Sequence, residues 1–180
     1  MLPITVPYTK LLDERSSQLI YVPEQTLQLE HSLVSLSKWE SKFEKPFLSK
    51  EAKTAQEMRE YVKFMTLSRN VSDAVYYALT SKHYEEINRY IEKPMTATTF
   101  RQDRRSSPQR EQVTAELIYY WMIALNIPFE CQKWHLNRLL TLIRVCSIKN
   151  QPPKKWSKRD ILSRNAELNA ARRKRFNSKG

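Results

Sequence analysis

The sequence predicts a mainly α-helical fold: a compact helical domain with a small N-terminal β-hairpin or sheet element and a basic C-terminal helix. Three observations carry that prediction. From Leu33 onward, apolar residues recur at three- and four-residue spacing, the mark of helices with one buried face. The β-branched runs Ile4-Thr5-Val6 and Leu19-Ile20-Tyr21-Val22, each beside a proline, fall within residues 1–31, where they read as short strands. Residues 151–180 hold ten Lys or Arg against Asp160 and Glu167, so most of the net charge of +12 lies there. A domain over 1–150 and a basic helix or tail over 151–180 follow.

Taken in order, the two runs should form a hairpin around a long polar loop that includes LDERSSQ. Leu27 and Leu29 alternate with polar neighbours and can supply a third strand. A helix then opens at Ser32, carries Leu33, Leu36, Trp39 or Glu40, and Phe43, and ends before Pro46. Thr54 and Glu57 have capping-box spacing and start a helix with Met58, Tyr61, Val62 and Met65 on one side. Ser72 heads a short helix through Val75, Tyr76 and Leu79. Ser81 heads another through Tyr84, Ile87, Tyr90 and Ile91, closed by Pro94. Met95–Phe100 has strand composition and can pair with the hairpin.

The longest apolar stretch, from Pro108 to Lys149, reads as two antiparallel helices at the centre of the core. Ser107 caps the first and Pro108 suits its first position. Leu117, Tyr120, Trp121, Ala124 and Leu125 form its apolar face, and Asn126-Ile127-Pro128 makes the turn. Leu136, Leu139, Leu140, Ile143 and Val145 or Cys146 repeat the pattern on the second helix. After Pro152-Pro153, a capping box from Ser157 to Asp160 starts the last helix, through Ile161, Leu162, Leu168 and Ala171.

Composition excludes much chemistry. The single glycine is Gly180, so phosphate loops, dinucleotide fingerprints and nucleophile elbows, which need glycine at a sharp turn or close approach, are absent. The three histidines sit in unrelated segments, and the carboxylates alternate with Lys or Arg as on a solvated face. Neither catalysis nor a cofactor is expected. Cys131 and His135 are four residues apart, a spacing that can chelate a metal, but Cys146 lies about 16 Å further along a helix and cannot join them. Two packed, reduced cysteines are the plainer reading. No run approaches a membrane span and no signal pattern opens the chain, so a soluble cytoplasmic protein is expected.

Aromatic residues are the more informative candidates. Trp39, Phe43 and Phe47, with Tyr119, Tyr120 and Trp121, cannot all point inward on helices this short. Most belong to the core. The rest can line an apolar groove for a partner's amphipathic helix, with Met58, Met65, Met95 and Met122 adapting to it. The basic end, with Lys154 and Lys155 and then Arg172, Arg173, Lys174 and Arg175, suits a solvated tail or non-specific contact with nucleic acid.

Two stretches, LEHSLVSLSKWESKFEKPFL (29–48) and ELIYYWMIALNIPFECQKWHLNRLLTLI (116–143), resemble the tail assembly chaperones of tailed bacteriophages with long, non-contractile tails. The likeness extends over most of the chain, including MTATTF and the basic end from PPKK. The resemblance implies a non-catalytic helper acting in the host cytoplasm and missing from the finished virion. Its partners would be the tape measure protein and the tail tube protein, with self-association also open. It marks Trp39, Phe43, Phe47, Trp121, Trp134 and His135 as residues of interest. A structural tail or connector component and a nucleic-acid binder acting through 151–180 are the alternatives.

Overall fold

The structure, a computed structural model, describes residues 1–13, 18–100, 112–151 and 158–177. It divides into two units, Met1–Cys146 and Ser147–Gly180. In the first, strands β1 (Leu2–Val6), β2 (Thr9–Asp13), β3 (Gln18–Val22) and β4 (Gln25–Leu29) precede the helices. β1 pairs with β4 and β2 with β3, both antiparallel. One register runs through both ladders, Leu2 facing Leu29 at one end and Asp13 facing Gln18 at the other. The element is therefore one long hairpin, interrupted where Pro7 and Pro23 cannot donate to a ladder.

This corrects the expected pairing. Ile4–Val6 does not pair with Leu19–Val22; its partner is the candidate third strand. Leu19–Val22 pairs instead with Thr9–Asp13, part of which was expected as loop. Burial sets the choice: Ile4 and Val6 face the core beside Leu27 and Leu29, all four almost fully buried, as the period-two alternation requires. Beyond α2, Leu67 donates its backbone N–H to Gln28 O at 2.8 Å, and Glu30 donates to Met65 O at 2.9 Å, so the chain covers the outer edge of β4. Met95–Phe100 forms no strand.

Helices α1 (Leu33–Phe43), α2 (Ala55–Met65), α3 (Asp73–Tyr77) and α4 (Ser81–Glu92) follow where the periodicity placed them. Ser32 caps α1 and Thr54 caps α2, each in a capping box, while Thr80 rather than Ser81 occupies the N-cap of α4. Since glycine is missing until residue 180, left-handed backbone falls to other residues. Glu44 ends α1 with φ 53°, and Asn126 follows α5 with φ 51°.

The apolar centre differs from expectation. Helix α5 spans Ala115–Ala124 with Thr114 as N-cap, so it starts later than the Ser107–Pro108 signal; residues 101–111 lie outside those described. Its buried residues are Ala115, Ile118 and Met122, not the predicted face. Almost every position of AELIYYWMIA is apolar, so spacing alone selects no single face. After Pro128 comes a 3-10 turn (Phe129–Lys133), then extended backbone at Trp134, then α6 (Leu136–Asn150). A continuous second helix is lost because His135 pairs with Ser32 and Leu136 donates to His31 O at 2.7 Å. Cys131 and Cys146 thus belong to different elements, both as free thiols. The hub is α1, which packs on α2, α5 and the 3-10 turn; α5 and α6 make no comparable contact. On α6, Leu136, Leu139 and Ile143 are buried as expected.

The second unit contains the end of α6 and helix α7 (Lys158–Phe176). The proposed cap at Ser157 lies outside the described residues.

Candidate partner-binding surface

The predicted aromatic residues separate into two groups. Trp39, Phe43 and Phe47 are brought together, but chiefly as core. Trp39 is 1% exposed and donates its indole N–H to Glu57 O at 2.9 Å. Phe43 and Phe47 lie 4.9 and 5.1 Å from its ring centroid, and Phe47 stacks on Tyr61 at 4.0 Å. Lys53 closes the cluster, its ammonium 4.7 Å from the Phe47 centroid, with burial lowering its pKa. Only Phe43, half-buried, touches the surface. Trp39 and Phe47 therefore lie in the core: Trp39 is on the buried face of α1, and Phe47 packs back against it from the loop that follows.

Tyr119, Trp121 and Trp134 are half-buried. Tyr119 donates its hydroxyl to Gln132 Oε1 at 2.9 Å and lies 6.4 Å from the Phe129 ring. Arg138 covers the Trp134 face at 4.2 Å. Around Tyr119 the surface is unexpectedly apolar: Tyr120 is 63% exposed, Ile123 61% and Phe129 52%. Tyr119 and Ile123 are one helical turn apart, as are Tyr120 and Ile123, so with Phe129 they form a strip along α5 and the 3-10 turn. Spacing had assigned Tyr120 to the core and passed over Ile123 and Phe129. What could have found them is the excess of apolar residues on α5 over what one face can bury.

A second exposed apolar area lies on the inner ladder, where Leu12 faces Leu19 and Lys10 lies over Tyr21 at 5.6 Å. It was missed because β2 was expected as loop.

Beneath the aromatic cluster lies a polar network the sequence did not announce. His31 Nδ1 and the Tyr61 hydroxyl share a hydrogen bond of 2.5 Å. The His31 ring meets that of His135 edge-on at 5.2 Å. Asn137 donates its backbone N–H to His135 Nδ1 at 3.3 Å, so the other nitrogen carries the proton and donates to Tyr90 O at 3.1 Å. His135 is thereby neutral with both ring nitrogens satisfied. Burial, then the proximity of His135, depresses the His31 pKa to about 3; burial lowers that of His135 also. Tyr90 donates to Glu30 Oε1 at 2.8 Å, and the Glu30 carboxylate pairs with the N-terminal amine at 3.0 Å. Asn137 donates its side-chain amide to Ile91 O and Lys93 O, both at 2.8 Å, satisfying carbonyls left open at the end of α4.

Glu40 is the other buried polar anchor. Its two oxygens accept the backbone N–H groups of Phe47 at 2.8 Å and Ala115 at 2.7 Å. Burial raises its pKa, and the two N–H donors oppose that shift. A single carboxylate thus ties α1 to the loop before α2 and to the first residue of α5.

His135 and Cys131 do not share a helix, and the described residues contain no cluster of three His, Cys, Asp or Glu able to hold a metal. No described helix is long and apolar enough to cross a membrane. In the second unit, Arg172, Arg173, Lys174 and Arg175 are exposed near the end of α7, where positive charge complements the helix dipole. Lys154 and Lys155 lie outside the described residues. Comparison of the chain with protein-family models, curated proteins and solved structures finds no match to any of them.

Proposed function

We propose that this protein is a non-enzymatic phage tail assembly chaperone, one that covers apolar helical faces of a tape measure protein and aids tail tube assembly. The observation that carries the reading is the strip of Tyr119, Tyr120, Ile123 and Phe129 along α5 and the 3-10 turn, where the last three leave large apolar surface in water. Such strips suit reversible contact with another amphipathic helix. The resemblance of residues 29–48 and 116–143 to tail assembly chaperones supports the same reading. Co-expression with a tape measure protein tests it. The tape measure should move into the soluble fraction only when this chain is present, and a tape measure equally insoluble in both cultures refutes the reading. In purified particles the protein should be scarce by mass spectrometry; stoichiometric amounts favour a structural tail or connector component.

A second reading, non-specific nucleic-acid binding, is favoured by the exposed Arg172–Arg175 run. Salt-dependent DNA retention that disappears on deletion of residues 151–180 would mark it.

A further inference from the structure

A separate feature lies where α2 meets α3. A cavity of about 260 Å³ is lined by Gln56, Arg59, Glu60, Lys63, Asp73, Tyr76 and Tyr77. Its two carboxylates are already neutralised from within the chain: Lys42 pairs with Glu60 at 2.6 Å and Lys63 with Asp73 at 2.6 Å. Arg59 is different. Among the described residues it forms no ion pair. Its guanidinium stacks 4.2 Å from the centroid of the Tyr77 ring, and its positive charge acts on the Tyr84 hydroxyl. Its Nε–H is sealed from water with no acceptor. A guanidinium has five N–H donors in one plane, and a buried donor without an acceptor is destabilising. The side chain is held in position and still lacks an acceptor.

We propose that this cavity binds a carboxylate presented by an acidic segment of a partner protein, with Arg59 as the recognising residue. The chemistry selects the ligand. A guanidinium plane takes a carboxylate through two parallel N–H···O bonds, and stacking on Tyr77 fixes that plane. Tyr77 is 62% exposed, so the stacked pair stands on the solvent-facing side of the cavity, and stacking covers the face of the guanidinium rather than the edge that donates. With Lys42 and Lys63 already paired, Arg59 is the one cation left among the described lining residues to balance the charge of a single carboxylate, whereas a doubly charged phosphate would keep one charge uncompensated. Gln56, one turn before Arg59 on α2, supplies a neutral side-chain amide at the same wall. The site uses residues distinct from the α5 strip, so it holds or fails independently of the chaperone reading.

The test is a titration of the full-length chain, uniformly ¹⁵N-labelled, followed at the Arg59 Nε–H resonance and at the Gln56 and Tyr77 amides. The probes are a short Glu-containing peptide, sodium acetate and inorganic phosphate. The expected result is a saturable shift with the peptide, a weaker one with acetate, and none with phosphate at equal ionic strength. Arg59→Lys keeps the charge but removes the planar fork. It should leave the circular dichroism unchanged and weaken peptide binding at least tenfold, read from the shifts of the Gln56 and Tyr77 amides. No saturable shift with any probe, undiminished peptide binding in Arg59→Lys, or phosphate binding more tightly than the peptide would each overturn the proposal.

Discussion

At the scale of single residues, stability depends on a few buried polar groups. Glu40 accepts two backbone N–H groups from separate segments. Glu40→Gln keeps the shape but turns an NH₂ toward one of those donors. It should cost about 1–3 kcal/mol, seen as a lower urea midpoint with an unchanged slope; an unchanged midpoint would mean the carboxylate does not anchor α5. The buried histidines give a pH dependence whose sign follows from their lowered pKa values. Below pH 6.5 the unfolded chain binds protons that the folded chain refuses. Stability is therefore complete above about pH 6.5 and declines as pH falls toward the folded value near 3. From pH 7.5 to pH 5, His31 alone should remove on the order of 2 kcal/mol. Urea melts across that range check it, and a flat profile would mean that His31 is reached by water. These two groups were not legible beforehand, since a histidine or glutamate at helical spacing looks the same whether its partner is solvent or a backbone amide 75 residues away.

At the scale of elements, local signals proved readable where they were chemical and unreadable where they depended on tertiary contact. Ser32, Thr54 and Ser72 each sit at a helix start because their side-chain oxygens accept an early N–H, and sequence spacing reveals that directly. The extent of α5 and the break at Trp134 were hidden: the first has apolar residues on every side, and the second is made by His135 pairing with Ser32. Strand partners were hidden too, because both β-branched runs look alike and only burial of Ile4 and Val6 distinguishes them. The candidate contact surface was legible in kind, as surplus aromatic residues on α5, but not in position. One element carries an avoidable cost. Glu44 ends α1 in the left-handed region, which costs a residue with a Cβ about 1–2 kcal/mol. Glu44→Gly should raise stability by about 0.5–1 kcal/mol, measured as a higher thermal midpoint; a lower midpoint would mean the Glu44 side chain makes a compensating contact.

At the scale of the molecule, positive charge is concentrated in one stretch of sequence, and that stretch also exposes the apolar side chains of Ile161, Leu162, Leu168 and Phe176. The first unit holds the core, the neutral histidine network and the exposed strip on α5, whereas residues 151–180 hold most of the positive charge. A net charge of +12 favours solubility while such apolar surfaces stand exposed. The central proposal is that the outer face of α5 and the adjoining 3-10 turn form the contact. Amide hydrogen exchange on the protein alone and in complex with a tape measure protein tests this most directly. Added protection should concentrate within residues 119–131; protection confined to the inner hairpin ladder or to residues 158–177, with 119–131 unchanged, would contradict it.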